Sequence, residues 1–387
     1  MLRNPVVTGV GLVSVLGSDP EVLLDPDKTP IRWDAELISA AHVVDMEPSR
    51  FFSAKSTRRV EKYGLFVMVA AARALRSAEL LDPDSRSPDR IGLLLSTDYG
   101  PSDTVTRYMK QLLAGGVESV SPNLFSQTVM NVALGYPSVE LGLRGVSSLI
   151  QGNDSMWFAV RHIQTGQADV VLCGGVDVLN RYTFEAYKAM GLVAQTPSAC
   201  RPRDNASEGM TMGEGCCLLV LESEEHAISR GCRPLARVAG IGSMSDRSRP
   251  LFLGHKDSEG TGIEGAIKRS LTAARSGPEQ IDAVFGCANG VVALDIAERA
   301  ALARSFGEHL VGLPVETIKA RTGECFQASW MMTVAQAVLS LDASLVPGMT
   351  IDGAPIIARA NPHIVLCNGV STNGANTSAV LEAWSTR

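Results

Sequence analysis

The stretch "RPRDNASEGMTMGEGCCLLVLE" (201–222) decides the fold of this 387-residue chain. Its end, continued as "CCLLVLES" (216–223), is an unbroken apolar run of strand length, the pattern of a strand covered on both faces. Ahead of it Gly209, Gly213 and Gly215 let the backbone turn tightly. Glu214, set between two of these glycines, can accept backbone N–H donors. A glycine-rich turn carrying a carboxylate into a buried strand reads as the border of a buried site.

Working outward, "NPVVTGVGLVS" (4–14), "RIGLLLST" (90–97) and "ADVVLCGGVD" (168–177) have the same buried-strand pattern. Segments 61–80 and 155–167 carry helical spacing between them. The second half repeats the arrangement: strand 235–245, helix 262–277, strand 281–290, helix 295–307, strand 312–317, helix 329–344 and a closing hairpin over 362–384. Strand–helix alternation with short connections calls for a layered α/β fold. The chain divides near residue 235 into halves, 1–235 and 236–387, that look like an internal duplication. Residues 18–57 have little periodicity and read as a surface excursion.

The net charge of −6 and the scattered basic residues argue against nucleic acid, whose phosphates need clustered Lys and Arg. The densest basic cluster, "KSTRRVEK" (55–62), is interrupted by Glu61 and reads as a solvated helix start. Eight cysteines without a CxxC pair or a metal-like spacing to histidine read as reduced thiols in a cytoplasmic protein. No apolar run approaches the roughly 18 residues a membrane span needs. The opening "MLRNPVVTGVGLVSVLGS" reads as a first strand and turn, not a signal peptide. No motif calls for a metal or an organic cofactor, since the phosphate-loop patterns are missing.

Motifs over nearly the whole length resemble the β-ketoacyl synthases of the thiolase superfamily: "VVTGVGLVSVLG" at the start, "GLRG" (142–145), "GGVD" (174–177), the 201–222 block and "CNGVSTNGAN" (367–376). The resemblance implies a thiolase-like fold of five layers, α-β-α-β-α, built from two duplicated halves. Condensing members need a Cys thiolate to take the acyl chain and two His to stabilise the enolate formed as carbon dioxide leaves. A Lys near the second His helps hold that charge pattern.

None of the three groups stands where the resemblance expects it. The nucleophile belongs between "GLRG" and the "GG" strand, in "SSLIQGNDSM" (147–156). Gln151 is the residue placed there, with Leu149, Ile150 and Asn153 as alternatives, and none is a nucleophile. The first His position reads Asn289, in "ANG". The second reads Glu324 in "KARTGE" (319–324), where Lys319 is kept. The six histidines (42, 162, 226, 255, 309 and 363) occupy neither position.

That combination is similar to chain-length factors, the ketosynthase-like β subunits of type II polyketide synthases. The resemblance implies a heterodimer with an active ketosynthase α subunit, an acyl carrier protein reached through the complex, and a growing polyketide chain in a shared tunnel. "SPNLFSQTVMNVALGYPS" (121–138) is then the tunnel and interface segment, with Phe125, Gln127, Thr128, Met130, Asn131, Leu134 and Tyr136 as candidates; its plainer reading is an ordinary buried loop and helix. The gating turn, Gly-Phe-Gly-Gly in active members, is degenerate here as Ser371, Thr372, Asn373 and Gly374. The shortened 146–155 segment leaves a polyene-forming pathway open beside an aromatic one. Two rival readings stand beside this one: a malonyl-carrier-protein decarboxylase and a homodimeric ketosynthase-like scaffold. A third places new chemistry on Cys287 or Cys325, beside Asn289 and Glu324.

Overall fold

The computed structural model describes residues 2–43, 46–246, 259–346, 351 and 359–385. Ten strands form one sheet: β1 (Pro5–Ser14), β2 (Ile91–Thr97), β3 (Ser147–Gln151), β4 (Val170–Asp177), β5 (Gly215–Ser223), β6 (Ala236–Ser245), β7 (Ala283–Phe285), β8 (Val315–Glu316), β11 (Ile364–Val370) and β12 (Ala375–Ala383). A separate two-stranded ribbon pairs β9 (Leu345–Val346) with β10 (Arg359–Ala360). The longer helices are α1 (Lys62–Ser77), α2 (Ser102–Gly115), α3 (Val132–Leu141), α4 (Ser155–Gln164), α5 (Arg181–Ala189), α6 (Thr261–Ala274), α7 (Val292–Phe306) and α8 (Gln327–Asp342).

The strand order is β3-β2-β4-β5-β1-β6-β12-β11-β7-β8. From each outer edge inward the pairing reads parallel, parallel, antiparallel, antiparallel, on both sides of the β1–β6 junction. That junction rests on Val6↔Arg237 and Val7↔Ala236 alone, so the sheet is two five-stranded units lightly stitched together. Helix α1 covers β1, β4 and β5 from outside, and α6 covers β6, β11 and β12, with α7 packed on α6. Helices α4 and α8 lie between the two units. The result is the five-layered α-β-α-β-α arrangement, a thiolase-like fold. Nearly every residue of α8 is buried, as a helix that faces a sheet on each side must be. Its start touches β4 so closely that a Cβ on Gly175 would lie 2.0 Å from the Gln327 carbonyl oxygen. Hence the second glycine of "GGVD" has no room for a side chain.

Two elements differ from the sequence expectation. Residues 147–151 form β3, an edge strand whose Ser147, Ser148 and Gln151 are exposed, so it lacks the apolar run of the interior strands. Residues 18–57 are not a mere excursion. Leu23, Ala40 and Ala41 are fully buried, and the segment is laced to the glycine-rich block by Ala41 N–H to Met212 O and Met212 N–H to Ser39 O, each 2.8 Å.

Candidate functional site

The glycine-rich block ends against the segment that carries Glu324. Gly213 N–H donates to the Glu324 carbonyl at 3.0 Å, and Glu324 N–H donates to the Thr211 carbonyl at 2.8 Å. A Cβ on Gly213 would sit 2.3 Å from the Thr322 carbonyl oxygen and 2.7 Å from the Cys325 sulfur, which explains why glycine stands there. Glu214, fully buried, accepts from the backbone N–H of Val43 at 3.1 Å and of Leu179 at 2.9 Å. It also pairs with Lys62 Nζ at 2.6 Å and His42 Nδ1 at 3.3 Å. Burial pushes its pKa up, but the His42 hydrogen bond and Lys62 outweigh it and leave the carboxyl below its usual value. Glu214 therefore ties the 18–57 segment, α1 and the end of β4 together.

Three of the expected site residues meet in space. Glu324 Oε2 accepts from Asn289 Nδ2 at 2.8 Å and from Lys319 Nζ at 2.7 Å, while Oε1 accepts from Phe326 N–H at 2.9 Å. Lys319 and Glu324 are only 3% and 2% exposed. Burial lowers the Lys319 pKa, but the adjoining Glu324 carboxylate more than offsets this and holds the ammonium above its usual value. Asn289 Oδ1 in turn accepts from Val291 N–H at 3.0 Å. The loop beneath is clamped by two carboxylates of α7: Asp295 accepts from the N–H of Asn289 and Gly290, and Glu298 from the N–H of Cys287 and Ala288. Burial raises Asp295 to about 6.

Phe326 closes the cluster on one side. Its φ of +53° is a left-handed value that a bulky residue rarely adopts, a strain of about 1–3 kcal/mol that its surroundings must hold. Its ring meets Tyr99 at 4.9 Å and Tyr187 at 5.6 Å between centroids, and the two tyrosine hydroxyls share a 2.7 Å hydrogen bond. Below this wall, fully buried Asp177 accepts from Thr97 Oγ1 and from the N–H of Asp98, Tyr99 and Gln327. Burial first, and then the nearby Asp98 carboxylate, push Asp177 up to about 8. Of these groups only Asp177, the end of "GGVD", carries a signal in the sequence; the others act through contacts between distant segments.

Among the described residues Gln151 is not hydrogen-bonded to the cluster of Asn289, Lys319 and Glu324. It ends β3, is exposed, and donates from Nε2 to the Asp98 carbonyl at 3.5 Å; its own carbonyl accepts from Asn373 Nδ2 at 3.0 Å. Of the alternatives, Leu149 and Ile150 belong to β3, while Asn153 is fully buried between β3 and α4. The turn Ser371–Gly374 is fastened to Asp98: Ser371 Oγ donates to Oδ1 at 2.8 Å and Thr372 N–H faces Oδ2 at 3.5 Å. Cys325 and Cys287 are buried, and burial pushes the Cys325 thiol well above its usual value, the wrong direction for a nucleophile.

The segment 121–138 divides in two. Gln127 is buried, accepts from Glu61 N–H and bonds Tyr136 OH through Nε2. Thr128, Leu134 and Tyr136 are half-buried, and Met130 packs against Gly100. Asn131 is exposed, and so are Phe125 (58%) and Val129 (48%), as is Val139 (81%) just past the segment. Apolar side chains therefore face outward here, beside the exposed edge strand.

The β-ketoacyl synthase N-terminal domain model matches residues 31–227 and the C-terminal domain model matches residues 235–350. The chain belongs to the β-ketoacyl synthase family. It is 28% identical to 3-oxoacyl-[acyl-carrier-protein] synthase 2 of Coxiella burnetii over 98% of both chains. It is also 28% identical to Nodulation protein E of Rhizobium leguminosarum bv. trifolii, over 90% of this chain and 88% of that one. Among solved structures it superposes on a chain of the ishigamide ketosynthase/chain length factor with a TM-score of 0.89, 26% identity and full coverage of both. It shares its fold with the type II PKS ketosynthase–acyl-carrier-protein complex AntDE:AntF, at a TM-score of 0.86, 21% identity and coverage of 99% and 100%. No helix among the described residues is long and apolar enough to cross a membrane, and no group of three or more His, Cys, Asp or Glu among them could hold a metal ion.

Proposed function

We propose that this chain is a non-catalytic, chain-length-determining subunit of a type II polyketide synthase, paired with an active ketosynthase. The carrying observation is the closed Asn289–Glu324–Lys319 cluster. Where the family resemblance expects two imidazoles, an amide is bonded to a carboxylate whose charge is answered by Lys319. Decarboxylative condensation builds negative charge on an enolate oxygen, and donors must be free to meet it. Here Asn289 Nδ2 and Lys319 Nζ are both engaged, and a carboxylate beside the enolate would raise its energy. The same argument weighs against a malonyl-carrier-protein decarboxylase, which needs the same enolate stabilised.

The partner claim is supported by the surface. β3 is an edge strand paired only with β2 among the described residues, and an open edge is a template for another chain. Exposed Phe125 and Val129 lie in the segment assigned to the interface and tunnel, with exposed Val139 directly after it, and the similarity to the ishigamide ketosynthase/chain length factor is in keeping with it. On this reading the two halves are 1–235 and 236–387, and Phe125, Gln127, Thr128, Met130, Asn131, Leu134 and Tyr136 shape the shared tunnel. Chain growth stops when the polyketide meets a wall that costs roughly 1–3 kcal/mol per misfit to overpack. An acyl carrier protein delivers units through the partner, and the free thiols suit a reducing cytoplasm. No cofactor is needed for this role.

The test is to purify the chain alone and with a candidate ketosynthase that has an intact Cys-His-His set. The expected result is no turnover of malonyl-carrier protein alone, a stable heterodimer, and condensation only in the complex. Malonyl decarboxylation by the chain alone would overturn the non-catalytic reading.

A further inference from the structure

We propose that Asp98, Gln151, Ser371 and Asn373 form a clasp that couples the open edge strand β3 to the turn Ser371–Gly374, so that a subunit docking on β3 tightens the turn. This inference rests on the partner reading above. The four residues come from three separate segments, and each end of the clasp is double. Asp98, 4% exposed, directly follows β2 and holds the turn through Ser371 Oγ and Thr372 N–H. Asn373 reaches from the turn to the carbonyl of Gln151 at the end of β3. Gln151 closes the circuit by donating its side-chain amide to the Asp98 carbonyl.

The register makes the coupling directional. Gln151 lies opposite Thr97, and Thr97 and Asp98 are bound to buried Asp177. The β2 end of the clasp is therefore anchored in the core, while the β3 end belongs to a five-residue edge strand with exposed side chains. Gly152, just past β3, has φ +112°, and a Cβ there would lie 2.7 Å from the Asn373 amide nitrogen. The Asn373 side chain thus lies directly on the β3 exit. An edge strand lacking one neighbour frays more readily than an interior one, and an added strand removes that freedom. Because Gln151 O is the acceptor for Asn373, immobilising β3 fixes that acceptor and slows opening of the turn. In active members of the family the resemblance places a mobile acyl gate at this turn. Here the clasp makes it a fixed wall whose rigidity depends on assembly.

Hydrogen exchange of peptides covering 371–374 tests this, in the free chain and with a Cys-His-His ketosynthase subunit, complex formation being followed separately by native mass spectrometry. Expected is about tenfold slower exchange at the turn in the complex, a shift of about 1.4 kcal/mol in opening free energy. In Asn373→Ala, a change at an exposed position that also removes the Ala375 N–H acceptor inside the turn, the complex should still form but the slowing relative to the free variant should be lost. Asp98→Asn is the second arm and should loosen the turn in the free chain. A complex that forms without slowing the turn overturns the clasp and leaves the partner reading standing. Slowing that persists in Asn373→Ala means the partner covers the turn directly and also overturns it. Absence of any complex overturns both.

Discussion

The Lys319–Glu324 pair offers a sharp test, because its two members are not equally dependent on each other. Replacing Glu324 by Leu leaves the Lys319 ammonium, 3% exposed, without its only hydrogen-bonded partner among the described residues. Removing one partner of a buried pair costs about 3–5 kcal/mol, chiefly because the remaining charge is left desolvated. Lys319→Met is gentler: the Glu324 carboxylate keeps Asn289 Nδ2 and Phe326 N–H as donors, so the cost falls to about 2–3 kcal/mol. In the double variant Lys319→Met/Glu324→Leu both desolvation penalties vanish, and stability returns to within about 1 kcal/mol of the parent. The coupling energy of the cycle is then about 4–8 kcal/mol, well above the scatter of independent sites. With an unfolding entropy of about 2.1 cal/mol/K per residue over 387 residues, each kcal/mol moves Tm by about 1 °C. Scanning calorimetry should therefore find Glu324→Leu about 3–5 °C below the parent and the double variant near it. A Glu324→Leu protein within 1 °C of the parent would refute the reasoning, since Lys319 would then have another way to be satisfied.

Further outcomes follow from the same geometry. Gln151→Cys alone should show no condensation in a malonyl-carrier-protein assay, because Gln151 has no described bond to the Asn289–Glu324 cluster and no imidazole is restored; activity in that single variant would sink the placement of the site. Phe125→Asp and Val139→Glu should leave Tm nearly unchanged, as surface changes within about 0.5 kcal/mol do, while abolishing the heterodimer on a sizing column. Asp177 is raised from 3.8 to about 8 on folding, so the folded state binds its proton more tightly than the unfolded one. The contribution is fully present below pH 4 and is lost as pH rises through 8. Tm should decline from pH 5 to pH 9, and Asp177→Asn should flatten that decline; an equal slope in both proteins would contradict the assignment.

The fold was legible where burial is two-sided. β1, β2, β4 and β5 are buried throughout, and their unbroken apolar runs announce it. β3 was illegible because "SSLIQ" is an edge with exposed residues, and its strand character comes from pairing with β2 alone. Helix α2 went unread for a related reason. Thr104 is its only buried residue, and the stripe Val105, Met109 and Leu113, spaced four apart as one helix face is, points outward and makes no core contact. The site was half legible. Asn289, Lys319 and Glu324 sit in motif positions and do converge. Asp98, Tyr99 and Phe326 do not, because a lone Asp or aromatic acquires its role only when segments more than a hundred residues apart are brought together. Gln151 shows the limit of motif spacing. A shortened interval can be aligned on the strand or on the helix that follows, and only the fold reveals that it lies at the strand end.

The state of the site argues for replacement over decay. A pocket that had merely lost its catalytic groups would leave buried polar atoms unmet, at about 1–3 kcal/mol each. Around Asn289 and Glu324 the substituted groups answer one another: the Glu324 carboxylate takes three donors, Asn289 uses both its amide atoms, and the loop N–H groups of residues 287–290 end on Asp295 and Glu298, whereas buried Asn153, beyond β3, leaves both its amide atoms unmet. Such a network resists piecemeal restoration of catalysis. Glu324→His would strand Lys319 beside an imidazole with no carboxylate to answer it, and Asn289→His would displace the amide that caps both Glu324 and Val291 N–H. Even the triple Gln151→Cys/Asn289→His/Glu324→His should therefore fail to condense and lose several °C in Tm. Condensation by that triple variant, at a Tm near the parent's, would mean that the network is incidental and that the chain is a recent, reversible loss of an active synthase.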